Sequence, residues 1–399
     1  MSVVDVNPVI EVLGRRLRLA VIGGGPGSFI GAMHRTAARL DDCFEIVAGV
    51  LSSDPTRSRA AGIAVGIDAD RAYGGSIEML DAEAARADGA DVVAILTPND
   101  SHHDLAIAAL DRGFDVICDK PITNTLAEAL DVVAAVERTG LVICLTHNYS
   151  GYPMVRQARA MVADGQLGEI RLVQVEYVQG GKAADRDPDP DPATPVPWRY
   201  DPTIGGPSLV MGDIGTHAHQ LVRFVTGLEV SEVAAEVGHI VPNRVVDDYA
   251  GALLRFDNGA RGSFWVTQAA TGVENCLRLR VTGSKGPIEW MQETPTRLVF
   301  KPLGEPAQTR TPNGPGTLPL SARSTRIVAG HPEGFHEGFA NVYRDAGIAI
   351  AARRAGVDPD PLALHFPTHR DGARGVAFVE ATITSSGDDG RWTAIPSIS

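Results

Sequence analysis

Over the first 150 residues, short apolar runs alternate with stretches whose apolar positions recur at helical spacing. Arg18 to Ile22 and Phe44 to Leu51 are β-rich runs, and Met33, Ala37 and Leu40 mark one face of a helix between them. Ala90 to Leu96 is a buried-strand run ending in Thr97-Pro98-Asn99, after which Leu105, Ala109 and Leu110 form a helix face. A strand over Phe114 to Cys118 stops at Asp119-Lys120-Pro121. Thr125 and Glu128 have capping-box spacing and open a helix that ends around Thr139-Gly140, before a strand over Leu141 to Thr146. This alternation predicts an α/β fold, a doubly wound parallel sheet with helices on both faces. Ligands of such sheets bind beyond the carboxyl ends of the strands. Thr97-Pro98-Asn99, Lys120-Pro121 and His147-Asn148-Tyr149 all fall at strand ends and are expected to converge on one crevice.

After residue 150 the pattern changes. A helix over Met154 to Val162 leads through Gly165-Gln166-Leu167-Gly168 into a strand over Ile170 to Val178. The polar, proline-rich stretch Asp185 to Pro197 cannot pack a core and is expected to run as an extended surface loop. Beyond a helix over Asp213 to Thr226, strand-like runs follow one another without helices between them: Val230 to Val237, Tyr249 to Phe256, Ala260 to Thr267, Leu277 to Thr282 and Pro287 to Met291. They predict a large, mostly antiparallel open sheet. Phe335 to Arg354 reads as a long helix, so the second half is also α/β.

The first strand run ends in Gly23-Gly24-Gly25-Pro26-Gly27-Ser28-Phe29-Ile30-Gly31 and leads into a helix. Glycines let the chain turn sharply while its N–H groups approach a pyrophosphate, and the helix offers the positive end of its dipole. Gly23 and Gly25 supply the first two glycines of G-x-G-x-x-G, but the sixth position is Ser28 and the next glycine is Gly31, a lengthening of about three residues. Gly23, Gly25, Gly27, Ser28, Phe29 and Ile30 are therefore candidate dinucleotide contacts, with an ordinary turn as the alternative. At the end of the second strand run, Asp54 could grip the adenosine ribose of NAD, whereas Ser52, Ser53 and Arg57 could accept the extra phosphate of NADP. NAD is expected, and NADP is the alternative.

Composition fits a globular enzyme: 399 residues, 44% of them hydrophobic and 21% charged, are enough for two cores. A net charge of -13 argues against nucleic acid and anionic membrane as partners. Cys43, Cys118, Cys144 and Cys276 lack metal-ligand spacing and are expected to be reduced thiols of a cytoplasmic protein. The polar start, Met1 to Asn7, does not read as a leader, and no segment reads as a spanning helix.

The most chemical stretch is Gly212-Asp213-Ile214-Gly215-Thr216-His217-Ala218-His219-Gln220. Asp213 and His217 are spaced to share a helix face with Gln220 nearby, and a carboxylate beside an imidazole can bind and deprotonate a hydroxyl group. The plainer alternative is a helix cap and a core histidine. His217, His219, Asp213 and His147 also include metal-ligand types, but residues two apart on a helix diverge, so no metal is expected. Lys120, just before a proline at the end of a buried strand, is poorly placed for a solvated surface role. It is either catalytic, aimed into the crevice by a cis bond, or a cap on the sheet edge.

The order of these segments resembles the Gfo/Idh/MocA family of NAD(P)-dependent oxidoreductases, over nearly the whole chain. The resemblance rests on the glycine-rich loop, Thr97-Pro98-Asn99 with His102, Cys118-Asp119-Lys120-Pro121, His147-Asn148-Tyr149, and Gly212 to His217. It implies a Rossmann domain over 1–150 and an α/β domain over 151–399 for substrate binding and oligomerisation, in a homodimer or homotetramer. It also implies Lys120, Asp213 and His217 as the active site, with Thr97, Pro98, Asn99, His102, Asp119, Lys120 and Asn148 as cofactor contacts. Asp119 replaces the family's usual glutamate, Gln220 a frequent acidic residue and Ser150 a frequent arginine.

The reaction so implied is reversible oxidation of a secondary alcohol on a sugar, glycoside or cyclitol to a ketone. His217 would remove the hydroxyl proton, Lys120 would stabilise the reacting oxygen, and Asp213 would orient the substrate or His217. Tyr149, Tyr152, Trp198 and Arg199 are candidate sugar contacts, and His331-Pro332-Glu333-Gly334 either touches the pocket or caps a helix. A retained cofactor driving glycoside cleavage or epimerisation, and a catalytically dead sensor, are the alternatives.

Overall fold

The computed structural model describes residues 6–184, 197–242 and 244–398. Most of the polar start and of the Asp185 to Pro197 stretch therefore lies outside the described residues. The first sheet comprises β1 (Leu17–Gly23), β2 (Phe44–Val50), β3 (Val92–Leu96), β4 (Asp115–Cys118) and β5 (Ile143–Leu145). All pairings are parallel, in the order β2-β1-β3-β4-β5. Every residue of β3 is buried, as expected of a strand covered on both faces. The order reverses between β1 and β3. Because Gly23 pairs with Leu96, the glycine loop and Thr97-Pro98-Asn99 leave the sheet at the same level and open a crevice.

Local signals set the helices around this sheet. Thr125 and Glu128 form the predicted reciprocal cap of helix Leu126–Thr139, and Gly140 ends it in the left-handed conformation at φ 66°. In the other half, β6 (Ile170–Val178), β7 (Val230–Gly238), β8 (Tyr249–Phe256), β9 (Arg261–Thr267), β10 (Cys276–Gly283), β11 (Gly286–Met291), β12 (Leu298–Phe300), β13 (Gln308–Arg310) and β14 (Thr393–Ala394) build a second sheet. Its order is β13-β12-β11-β10-β6-β9-β8-β7-β14, antiparallel except where β6 meets β9. Alternate residues of these strands bury one face against helices Pro153–Ala163 and Thr216–Thr226, around Phe264 and Trp290.

The late helices tie the two sheets together. Helix Phe335–Ala355 returns to the first sheet, where Phe339 and Tyr343 pack on His34 of helix Phe29–Leu40. Helix His369–Gly387 bridges both halves: Glu380 accepts the N–H of Leu126, and Ser385 accepts that of Ala235. All four cysteines are free, and three are buried. Among the described residues, no helix is long and apolar enough to cross a membrane.

Candidate active site

A cleft of about 540 Å³ opens where the carboxyl ends of β1, β3, β4 and β5 face the end of β6 and the Trp198–His217 segment. Ser28, Phe29, Ile30, Thr97, Pro98, Asn99, Asp119, Lys120, Asn148, Tyr149, Trp198, Arg199, Asp213 and His217 all line it. Strand ends far apart in sequence thus meet at one crevice, as their punctuation by Thr-Pro-Asn and Lys-Pro predicts.

The glycine loop has the form a pyrophosphate needs. A Cβ on Gly25 would lie 2.3 Å from the carbonyl oxygen of Leu51, and one on Gly23 would lie 2.6 Å from that of Leu96. A Cβ on Gly31 would lie 2.0 Å from the carbonyl oxygen of Gly24, so Gly31 lets the helix approach the loop. Ser28 caps that helix by accepting the Gly31 N–H, while the N–H groups of Phe29 and Ile30 have no acceptor among the described residues. Unpartnered donors at a helix start, beside a backbone turn that admits no side chain, fit a dinucleotide diphosphate.

The chemical groups gather in the same cleft. Lys120, joined to Pro121 by a cis bond, donates from Nζ to the Asp213 carbonyl oxygen at 2.5 Å and to Asp213 Oδ1 at 3.3 Å. Oδ2 of Asp213 accepts Lys182 Nζ at 3.1 Å and Gln268 Nε2 at 2.8 Å. Burial works against this carboxylate, but Lys120, Lys182 and Arg199 outweigh it and hold it ionised, far below the ordinary range. His217 stands edge-on to His147 at 5.2 Å and to Tyr149 at 5.0 Å. Burial, then Lys120 and His147, push its pKa well down, so the imidazole is neutral. Its Nδ1 has no hydrogen-bond partner among the described residues. The expected Asp213–His217 pairing is therefore corrected: the carboxylate serves two lysines and a glutamine.

Asp119 accepts the Thr146 hydroxyl at 2.8 Å and lies 3.8 Å from His34 Nε2. Despite burial, His34, Lys120 and Thr146 hold its pKa below the ordinary carboxylate value. Tyr149 bonds Tyr177 through their hydroxyls at 2.5 Å, and Tyr177 and Gln179 both donate to Asn275 Oδ1. Arg199 lies over the Trp198 ring, 4.3 Å from its centroid.

Several expected residues lie elsewhere. His102 is fully buried, its ring nitrogens facing the carbonyls of Pro121 and Thr97, so it ties two strand ends together rather than lining the cleft. Tyr152 is packed between Gly338 and Trp290. Gln220 is buried and accepts from Arg223, His219 stacks on Phe378, and the Ser150 hydroxyl bonds the His147 carbonyl. Ser52, Ser53, Asp54 and Arg57 lie beyond β2, outside this cleft, and Asp54 caps helix Pro55–Ala64 by accepting the Arg57 N–H. Glu333 accepts the Arg326 N–H, and Gly334 stands at the start of the late helix, which favours the cap. Among the described residues no cluster of three metal-ligand side chains occurs. Sequence reasoning missed His34, Lys182, Gln179, Tyr177, Gln268 and Asn275, which are polar residues scattered through ordinary helix, strand and loop contexts.

A switch-point crevice bordered by a glycine turn that fits a diphosphate and lined by a lysine, a carboxylate and a neutral histidine is the arrangement of a dinucleotide-dependent oxidoreductase. Comparison with known proteins specifies it: residues 17–147 match the model described as an oxidoreductase family with an NAD-binding Rossmann fold. Residues 155–289 match the GFO/IDH/MocA C-terminal domain. The chain belongs to the GFO/IDH/MocA family of oxidoreductases, and its cofactor-binding half is an NAD-binding Rossmann domain. An oxidoreductase structure from Sinorhizobium meliloti is 45% identical, with a TM-score of 0.85 over 95% of this chain and 99% of that one. An inositol dehydrogenase homolog from Azotobacter vinelandii, complexed with NADH and myo-inositol, is 33% identical, with a TM-score of 0.87 over 96% of this chain and 98% of that one. Levoglucosan dehydrogenase of Pseudarthrobacter phenanthrenivorans is 28% identical over 346 residues, 77% of this chain and 80% of that one.

Proposed function

We propose that this enzyme oxidises a secondary hydroxyl of a sugar, glycoside or cyclitol ring to a ketone, with NAD as hydride acceptor. The observation that carries this reading is the meeting of Lys120, Asp213 and His217 in the cleft that the glycine loop borders. Gly23, Gly25, Gly27, Ser28, Phe29 and Ile30 would hold the diphosphate, and Asp54 the adenosine ribose. Thr97, Pro98, Asn99, Asp119 and Asn148 would flank the nicotinamide half. Bound there, the nicotinamide supplies a hydride acceptor and nothing else to the chemistry.

The chain's own groups do the rest. Lys120 keeps its ammonium on the reacting oxygen and lowers the cost of the negative charge that develops there. His217, neutral and with its ring on the cleft wall, takes the hydroxyl proton. Asp213 fixes Lys120 through a side-chain and a main-chain contact. Tyr149, Tyr177, Gln179 and Asn275 present linked donors and acceptors suited to ring hydroxyls, and Trp198 offers an apolar face to ring C–H groups.

In this division residues 1–150 serve the cofactor and 151–399 the substrate and assembly, as a homodimer or homotetramer. The test is nicotinamide reduction with myo-inositol, levoglucosan and a panel of related polyols. Turnover with a ring polyol is expected, and reduction only with acyclic or non-hydroxylated substrates would overturn the reading.

A further inference from the structure

Lys182 follows β6 and lies close to the site without lining the cleft. Its main-chain N–H binds the Gln268 carbonyl at 3.0 Å, which anchors the backbone. Its ammonium donates to Asp213 Oδ2 at 3.1 Å and Gln268 Oε1 at 2.6 Å, and its side chain is 16% exposed. Gln268 is itself buried, and its other end donates to the same Asp213 oxygen at 2.8 Å. A lysine can only donate and a carboxylate can only accept, so these two neighbours fix the amide orientation. Asp213 is thus held from behind on Oδ2, while Oδ1 is presented to Lys120 at 3.3 Å. The circuit continues, since Gln268 Nε2 also donates to Gln179 and Gln179 donates to Asn275.

We propose that Lys182, with Gln268, is a positioning residue for the reaction: it shares the Asp213 carboxylate with Lys120 and so leaves the Lys120 ammonium incompletely neutralised, free to act on the reacting oxygen. Two ammonium groups on one carboxylate leave that trio with one net positive charge; Arg199 adds to it, the Asp119 carboxylate beside Lys120 opposes it, and His147, His217, Tyr149 and Tyr177 face the same groups as neutral rings. If Lys182 were absent, Lys120 would be the one ammonium bonded to Asp213, with the neutral Gln268 amide still donating to Oδ2. The ammonium would then be a tighter ion pair and a weaker partner for an alkoxide.

This inference rests on the proposed dehydrogenase reading, and the test separates the two. In Lys182→Met, acetic anhydride at fixed pH should modify Lys120 at least threefold more slowly than in the wild type, measured by mass spectrometry without any sugar. Lys182→Arg should retain the wild-type rate. With the best-turned-over polyol of the panel, Lys182→Met should lower kcat tenfold or more, with KM and NAD affinity within threefold, and Lys182→Arg should recover most of kcat. Unchanged Lys120 labelling in a folded Lys182→Met protein overturns the positioning role, whatever the substrate. Correct labelling together with no ring-polyol turnover in the wild type overturns the reaction assignment alone. Equal loss of kcat, NAD affinity and melting temperature in both variants marks Lys182 as structural and also overturns the proposal.

Discussion

The Cα of Gly25 faces the carbonyl oxygen of Leu51 so closely that a Cβ would lie 2.3 Å from it. Gly25→Ala must push the loop off the end of β2, and the proposed diphosphate cradle moves with it. NAD affinity should fall at least tenfold, about 1.4 kcal/mol. Gly27 provides the contrast: its φ is 88°, but a Cβ there meets nothing within 4 Å. Gly27→Ala should cost the backbone penalty of about 1 kcal/mol in stability and, with its N–H left in place, weaken NAD less than Gly25→Ala does. Titration of both variants with NAD, beside their melting curves, checks the pair.

In the proposed reading, cofactor preference turns on Asp54. Its Oδ1 already accepts the Arg57 N–H at 2.7 Å, which leaves Oδ2 for ribose hydroxyls. A carboxylate there repels the extra phosphate of NADP, so NAD should bind at least tenfold tighter. Asp54→Ala should narrow that ratio and, by removing a helix cap, cost about 1 kcal/mol of stability. Parallel titrations with the two cofactors decide it.

The depressed pKa of His217 predicts an unusual acid side to the rate profile. An ordinary histidine base, with a pKa near 6.5, loses about tenfold of its active form by pH 5.5. Burial, Lys120 and His147 keep His217 deprotonated there. Log kcat/KM should therefore stay level between pH 7 and 5.5 as far as this residue is concerned. A single-proton limb near 6.5 that disappears in His217→Ala contradicts the assignment.

Stability should respond to the same acidification. Burial, then Lys120, push His147 down to about 3, and burial and nearby arginines push His219 well below its ordinary value. Below about pH 6.5 the unfolded chain binds protons that these folded histidines refuse, so stability is present above that pH and is lost as pH falls. Each such histidine costs about 1 kcal/mol between pH 6.5 and 5.5. His219→Phe keeps a flat ring against Phe378 and should remove one share of this loss. Urea unfolding at the two pH values measures it.

The sheet and crevice were legible because their signals are local. Strand ends carry Thr97-Pro98-Asn99 and Lys120-Pro121, the cap at Thr125 has its glutamate, and glycines mark the phosphate turn. What escaped depends on side-chain direction. Asp213 and His217 have helical spacing, but a π-helical turn over Met211–Gly215 precedes helix Thr216–Thr226, and Asp213 engages Lys120 and Lys182. His102 stands beside a strand end like a ligand contact, yet two main-chain carbonyls occupy its ring. Lys182 and Gln268 are distant in sequence and gain meaning only when the ends of β6 and β9 meet in parallel. Helices Pro55–Ala64 and Ser76–Ala85 carry no strong amphipathic pattern, and helix His369–Gly387 buries against both halves, so sequence reading passed over all three.

The central claim is that Lys120 acts at the reacting oxygen while the glycine loop holds the cofactor. Lys120→Met keeps much of the side-chain length and removes the charge and its donors. Its NAD affinity should stay within roughly tenfold, about 1.4 kcal/mol. Single-turnover hydride transfer, followed by nicotinamide absorbance at saturating NAD and polyol, should slow at least about a hundredfold. Transfer at a near-normal rate in Lys120→Met would show that the lysine only fastens Asp213, and the active site proposed for this cleft would be wrong.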